Sequence, residues 1–131
     1  MPSTAKAKAN PKPDIAKKVL VVEDEGEMSL IFDMILNEKN LQLDYVNKLL
    51  DADEYLEKHK PSLIILDNKL PDGFGVDFIL YCKKKYPSIK IIMTSGYASA
   101  RDVALENGAD IFFEKPFSLD EFTEAIDYLL H

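Results

Sequence analysis

From Lys18 onward the sequence alternates short β-branched or apolar runs with longer amphipathic stretches. That rhythm constrains the fold more than any other feature, because it is the signature of a parallel sheet wrapped by helices. Five strand candidates stand at 19–22, 41–46, 63–66, 89–93 and 109–113. The central runs are apolar enough to be buried on both faces, whereas Leu41, Leu43 and Tyr45 alternate with polar residues and mark an edge strand. Between the strands, Met28, Ile31, Phe32, Ile35 and Leu36 place one apolar stripe on a first helix. Asp51 and Glu54 read as a cap and its partner ahead of a second helix that closes at Lys60-Pro61. Val76, Ile79 and Leu80 form a third stripe, stopped at Pro87. A shorter fourth helix runs from about Ser99 to Asn107, with Gly108 at the left-handed position that ends many helices. Ser118 and Glu121 form a capping box for the fifth, with Phe117 and Phe122 as its hydrophobic staple. The fold class is α/β, with residues 18–131 as one folded domain.

Charge narrows the function. The net charge of −7 divides into +3 over residues 1–17 and −10 over the rest. An acidic surface repels nucleic-acid phosphates, so no direct nucleic-acid partner is expected. Residues 1–17, with Lys6, Lys8, Lys12 and three prolines, read as a flexible basic tail or linker. The longest apolar run is five residues, 78–82, against the roughly 18 that span a bilayer, and no signal peptide opens the chain. No membrane insertion and a cytoplasmic location are expected. One cysteine, Cys82, and two histidines, His59 and His131, are too few for a disulfide framework or a clustered zinc site.

In an open parallel sheet, ligands bind beyond the carboxyl ends of the strands, where the strand order reverses. Glu23 and Asp24 follow the first strand, Asp67 the third, Thr94 and Ser95 the fourth, and Lys115-Pro116 the fifth. If the order is 2-1-3-4-5, strands one and three are neighbours and the three carboxylates gather. Two carboxylates ~4 Å apart repel by roughly 4 kcal/mol at an effective dielectric of about 20, a cost that a cation between them removes. Oxygen-only donors favour a hard ion such as Mg2+ over zinc, and a D-x-D-x-D-G calcium loop is missing.

Four motifs in this order, Glu23-Asp24, Leu66-Asp67 with Leu70-Pro71 and Gly75, Met93-Thr94-Ser95-Gly96 and Glu114-Lys115-Pro116-Phe117, resemble the receiver domain of two-component response regulators over residues 18–131. The resemblance implies a doubly wound, flavodoxin-like (βα)5 fold with strand order 2-1-3-4-5 and helices on both faces. It implies that Asp67 is the phosphoacceptor, attacking a phosphohistidine or a small acyl phosphate. Glu23, Asp24 and Asp67, with the main-chain carbonyl of Lys69, match the Mg2+ ligands. Thr94 matches the hydroxyl that meets the phosphoryl group, Lys115 the ammonium that pairs first with Asp67 and then with the phosphoryl. Thr94 and Phe112 match the switch positions, and the face of the fourth helix, fifth strand and fifth helix is the implied output surface. The implied partners are a sensor histidine kinase or histidine phosphotransfer protein and a separate downstream effector.

Several positions bear on the family pattern. Glu23 stands where an aspartate is usual, and Phe112 stands where many relatives have tyrosine. Lys69 and Gly96 occupy the two positions that tune phosphoryl lifetime, and together they point to slow self-dephosphorylation. Because the chain stops after the fifth helix, its output is expected from another molecule. Two alternatives stay open: a receiver-like scaffold that binds without phosphorylation, and an excised receiver of a longer response regulator or hybrid kinase. A flavin carrier is disfavoured by the acidic loop 23–26, an aspartate-nucleophile phosphatase by Lys69 where its second acid would stand, and a serine hydrolase by the lack of a G-x-S-x-G elbow. The domain is expected to be a phosphoacceptor that assists its own chemistry, not a classical enzyme.

Overall fold

A computed structural model describes residues 17–24, 26, 32–33 and 39–131. In chain order the elements are β1 (Lys17–Val22), β2 (Leu41–Val46), α1 (Leu49–Lys58), β3 (Leu63–Asp67), β4 (Lys69–Leu70), β5 (Gly73–Phe74), α2 (Gly75–Lys85), β6 (Lys90–Ser95), α3 (Ala100–Glu106), β7 (Ile111–Glu114) and α4 (Leu119–Leu130). Five strands form one sheet in the order β2-β1-β3-β6-β7. All four pairings are parallel. Counting only these five, the order is the expected 2-1-3-4-5, with the alternating strand β2 at one edge.

Side chains alternate across each strand, so the sheet sorts its own residues into two layers. Leu20, Val22, Ile64, Leu66, Ile91, Met93 and Phe112 face one layer, which α1, α2 and α3 cover through Leu56, Ile79, Cys82 and Ala104. Val19, Val21, Leu63, Ile65 and Ile92 face the other, covered by Phe122 and Ile126 of α4 and by Phe32. Helical residues therefore pack on both faces. Phe32 and Asp33 are helical. The remainder of the predicted first stripe, Met28, Ile31, Ile35 and Leu36, lies outside the described residues, as do residues 1–16 of the predicted tail. Lys17, assigned to that tail, opens β1 instead.

Several predicted boundaries move for physical reasons. Thr94 and Ser95 belong to β6 and Asp67 closes β3, because Asp67 and Thr94 still pair in the ladder despite their polarity. The fifth strand starts at Ile111 instead of 109, since the Ala109 N–H is taken by the Ala104 carbonyl of the preceding helix end. The capping box is present at Ser118, whose Oγ accepts from the Glu121 N–H at 3.3 Å, and the Phe117 and Phe122 rings stack 5.0 Å apart. Gly108 adopts φ +114°, as a residue without Cβ can at a helix end. Cys82 is buried, and burial pushes its thiol up to about 12. Among the described residues, no helix is long and apolar enough to cross a membrane.

The second helix departs most from expectation. It begins at Leu49, two residues before the predicted cap Asp51, and its own N-cap residue, Lys48, makes no side-chain cap. The cap comes from elsewhere: Asp72, in the turn between β4 and β5, accepts from the Leu49 N–H at 2.8 Å and the Leu50 N–H at 3.0 Å. These bonds hold the Asp72 carboxyl below the ordinary carboxylate range. A lowered folded-state pKa contributes stability above the ordinary value, and that contribution is lost as pH falls through the lowered one. Asp72→Ala should therefore melt a few degrees lower at neutral pH and show a shallower acid-side decline, whereas Asp72→Asn should keep part of the cap; thermal melts across pH 2–7 read both.

Candidate functional site

The carboxyl edge of the sheet collects the predicted residues through register. Val22 pairs with Leu66, so Glu23 and Asp67 continue neighbouring strands. Asp67 pairs with Thr94, and Ser95 with Glu114. Glu23, Asp67, Thr94 and Lys115 share one period-two phase with the layer that holds Val21, Ile65, Ile92 and Phe113, so they emerge on one side of the sheet.

Lys115 Nζ lies 3.2 Å from Asp67 Oδ2. The Lys115 side chain is 38% exposed and that of Asp67 18%. β7 is separated from β3 by β6, a span of roughly 10 Å at normal interstrand spacing, so the long lysine stem is what allows the pair to form. Its backbone is fixed by a 2.8 Å bond from the Lys115 N–H to the Ser95 carbonyl. Thr94 lies between the two strands, 5% exposed. The arrangement is a carboxylate on a central strand, an ammonium touching it and a hydroxyl on the adjacent strand.

Three further residues hold Asp67 in place. Asn68 is buried, and its Oδ1 accepts from the Val76 N–H at 3.1 Å while its carbonyl accepts from Gly75 at 2.7 Å, tying the start of α2 to the end of β3. Asn107 Nδ2 donates to the Val76 carbonyl at 2.7 Å, joining α3 to the same point. Gly75 approaches so closely that a Cβ there would lie 2.5 Å from the Asp67 carbonyl oxygen and 2.7 Å from Met93 Cε. Gly75→Ala should therefore cost about 1–3 kcal/mol through overpacking and shift the Asp67 backbone. Urea unfolding measures the first effect, and a change in the amide chemical shift of Asp67 the second. Gly75 was legible in the motif; Asn68 and Asn107 carried no signal beyond their residue type.

The acidic pair sits differently. Glu23 is half-buried, Asp24 is exposed, and the Glu23 N–H bonds the Val46 carbonyl at 3.0 Å. Both open onto a depression of about 600 Å3, lined also by Asp33 and Asp51 but not by Asp67. Asp33 Oδ1 accepts from the Tyr45 hydroxyl at 2.8 Å, and burial together with Asp33 pushes that phenol up. Among the described residues, no group of three or more acidic, histidine or cysteine side chains converges tightly enough to hold a metal ion. The all-oxygen donor set on one sheet edge fits a hard divalent cation; the gathering of Glu23, Asp24 and Asp67 around one point is not a feature of the described residues.

Phe112 pairs with Met93 and faces the layer opposite to Thr94. It is buried, with the Arg101 guanidinium of α3 4.9 Å above its ring. Lys69 is exposed, its ammonium 5.9 Å from the Tyr97 ring centroid. Gly96 has nothing within 4 Å of where a Cβ would stand.

A family model for the response regulator receiver domain matches residues 19–127. Response regulator protein PilR of Pseudomonas aeruginosa is 29% identical over 112 residues, covering 84% of this chain and 25% of that protein. Sporulation initiation phosphotransferase F of Bacillus subtilis is 27% identical over 112 residues, covering 84% of this chain and 90% of that protein. The chain thus spans a quarter of the first and nearly all of the second. Among solved structures, the response regulator protein TrrA from Thermotoga maritima in complex with Mg2+-BeF superposes with a TM-score of 0.78 at 28% identity, over 86% of this chain and 98% of that one.

Proposed function

This chain belongs to the response regulator receiver domain family, and from that premise we propose that it is a phosphorylation-dependent switch whose acceptor is Asp67. The observation that carries the proposal is the 3.2 Å contact between Lys115 Nζ and Asp67 Oδ2 at the carboxyl end of the central strand. An Asp67 oxygen attacks phosphorus of a phosphohistidine or acyl phosphate, the bond from phosphorus to the donor breaks, and the donor leaves with the electron pair. Lys115 steers Asp67 beforehand and meets the incoming phosphoryl oxygens afterwards, since an ammonium gains from added negative charge. Thr94 donates its hydroxyl to the same oxygens. Glu23, Asp24 and the Lys69 carbonyl, with Asp67, would hold Mg2+, which supplies charge neutralisation at the phosphoryl group.

The output follows from Thr94 being buried in β6. A pull on Thr94 moves the end of that strand and the Gly96-Tyr97 connection into α3, whose Arg101 covers Phe112. Because Phe112 faces the layer opposite to Thr94, the signal passes through the backbone of β6 and the start of α3 to the α3, β7 and α4 surface. The donor is a sensor histidine kinase or histidine phosphotransfer protein, and the surface acts on a separate effector. Lys69 and Gly96 beside the acceptor favour slow self-dephosphorylation.

Intact-mass analysis after incubation with a small phosphodonor tests the proposal. One phosphoryl group should appear with Mg2+ and none with excess chelator, and reductive trapping followed by peptide mapping should place it at Asp67. No modification in either condition would leave the domain as a scaffold that binds without phosphorylation.

A further inference from the structure

We propose that the amino-terminal edge of the sheet, opposite Asp67, is a binding site for an organic phosphate of mononucleotide size. A cleft of about 480 Å3 lies there, built from the starts of β1 and β6, the approach to β3, the end of α2 and the end of α4. Its volume falls within the roughly 300–1,000 Å3 typical of small-molecule sites.

Lys17, Lys60, Lys85 and Lys90 line the cleft and no carboxylate does, although residues 18–131 carry a net −10. Elsewhere the chain pairs lysines with acids: Lys39 with Asp127 at 2.7 Å, Lys83 with Asp110 at 3.0 Å and Lys115 with Asp67 at 3.2 Å. In the cleft, Lys17 donates to the Leu130 carbonyl, while Lys85 donates to the Tyr81 hydroxyl at 3.2 Å, lies over the Tyr81 and Tyr86 rings, and is near Asp53, to which that hydroxyl donates. Among the described residues, Lys60 and Lys90 make no side-chain hydrogen bond or ion pair. Residues 1–16 add three lysines and one aspartate, so they bring no net countercharge. The ammonium groups of Lys17, Lys60 and Lys90, none paired with an acid, repel one another, and a bound anion relieves that repulsion.

Pro61 and Ile89 form a buried floor, with Leu129, Leu130 and the Tyr86 ring half-buried around it. Ser62 and Ser88 add hydroxyl donors. Lysine serves phosphate as a point charge, and an apolar floor beside a half-buried aromatic ring receives a flat organic body. A bare ion would use only the lysines; a nucleotide uses both halves.

Calorimetric titration of the full chain in low salt tests the site, with excess chelator so that Mg2+ cannot recruit the ligand to the acidic edge. ATP should bind at one site, more tightly than inorganic phosphate, and more weakly as sodium chloride is added. A Lys60→Ala, Lys90→Ala variant should bind ATP about tenfold or more weakly while keeping the wild-type melting temperature and Asp67 phosphorylation. No heat with millimolar ATP, equal affinity in the variant, or inorganic phosphate binding as tightly as ATP would each overturn the assignment.

Discussion

Asp67→Asn is expected to gain no phosphoryl mass under conditions that modify the wild type fully, with the folded state almost unchanged. An amide oxygen is a poor nucleophile, so the chemistry stops, yet asparagine keeps the shape and hydrogen-bonding capacity of the side chain. The stability effect is small because the partner is well solvated: Lys115 is 38% exposed, and such pairs contribute about 0–1 kcal/mol. Intact mass and a thermal melt on one sample separate the two effects. Modification of the variant to the wild-type extent would move the acceptor to another carboxylate, Asp24 or Glu23 first, and take with it the role given to Lys115.

Phe122→Ala carries the largest expected stability loss, about 3–5 kcal/mol, which is a substantial part of the 5–15 kcal/mol typical of a whole domain. Phe122 is fully buried and joins an aromatic cluster: its ring stacks on Phe32 at 5.2 Å and on Phe117 at 5.0 Å and meets Phe113 at 5.4 Å. Removing it opens a cavity between α4 and the sheet, beside Phe113 and Phe117, which flank Lys115 in the sequence. Urea denaturation should show the midpoint falling sharply with an unchanged slope, and Phe122→Leu should recover much of the loss. A midpoint shift below about 1 kcal/mol equivalent would mean that this layer repacks freely, contrary to the close-packed interior expected of a folded domain.

These expectations differ in how early they were legible. Strand identity and the buried face of α4 follow from local spacing: 63–66 is apolar throughout, and Phe122 and Ile126 recur at a helical interval. The capping box at Ser118 is equally local, since donor and acceptor stand three residues apart. The cap on α1 is not legible in the sequence because it is not local. Asp51 had the right chemistry near the right place, yet Asp72, over twenty residues away, occupies the helix end. The small β4 and β5 hairpin has no sequence signature, since two-residue strands carry no periodicity.

The site divides in the same manner. Motif order along the chain placed Asp67, Thr94 and Lys115 at strand ends, and parallel register then brought them to one edge. The depression shared by Glu23, Asp24, Asp33 and Asp51, and the opposite facing of Thr94 and Phe112, follow from packing and alternation, not from motif order. The lysine cleft had no linear signature at all, because Lys17, Lys60, Lys85 and Lys90 come from four separate segments.

What the amino-acid order determined alone was the run of strands and helices, the family, and the residue types at the carboxyl edge, because hydrophobic period and strand-end position are properties of neighbours along the chain. Which groups touch, cap or face one another was decided by the tertiary structure. Hydrogen bonds and charge act over a few ångströms of space, and only folding brings Lys115 to Asp67, or Asp72 to α1, within that reach.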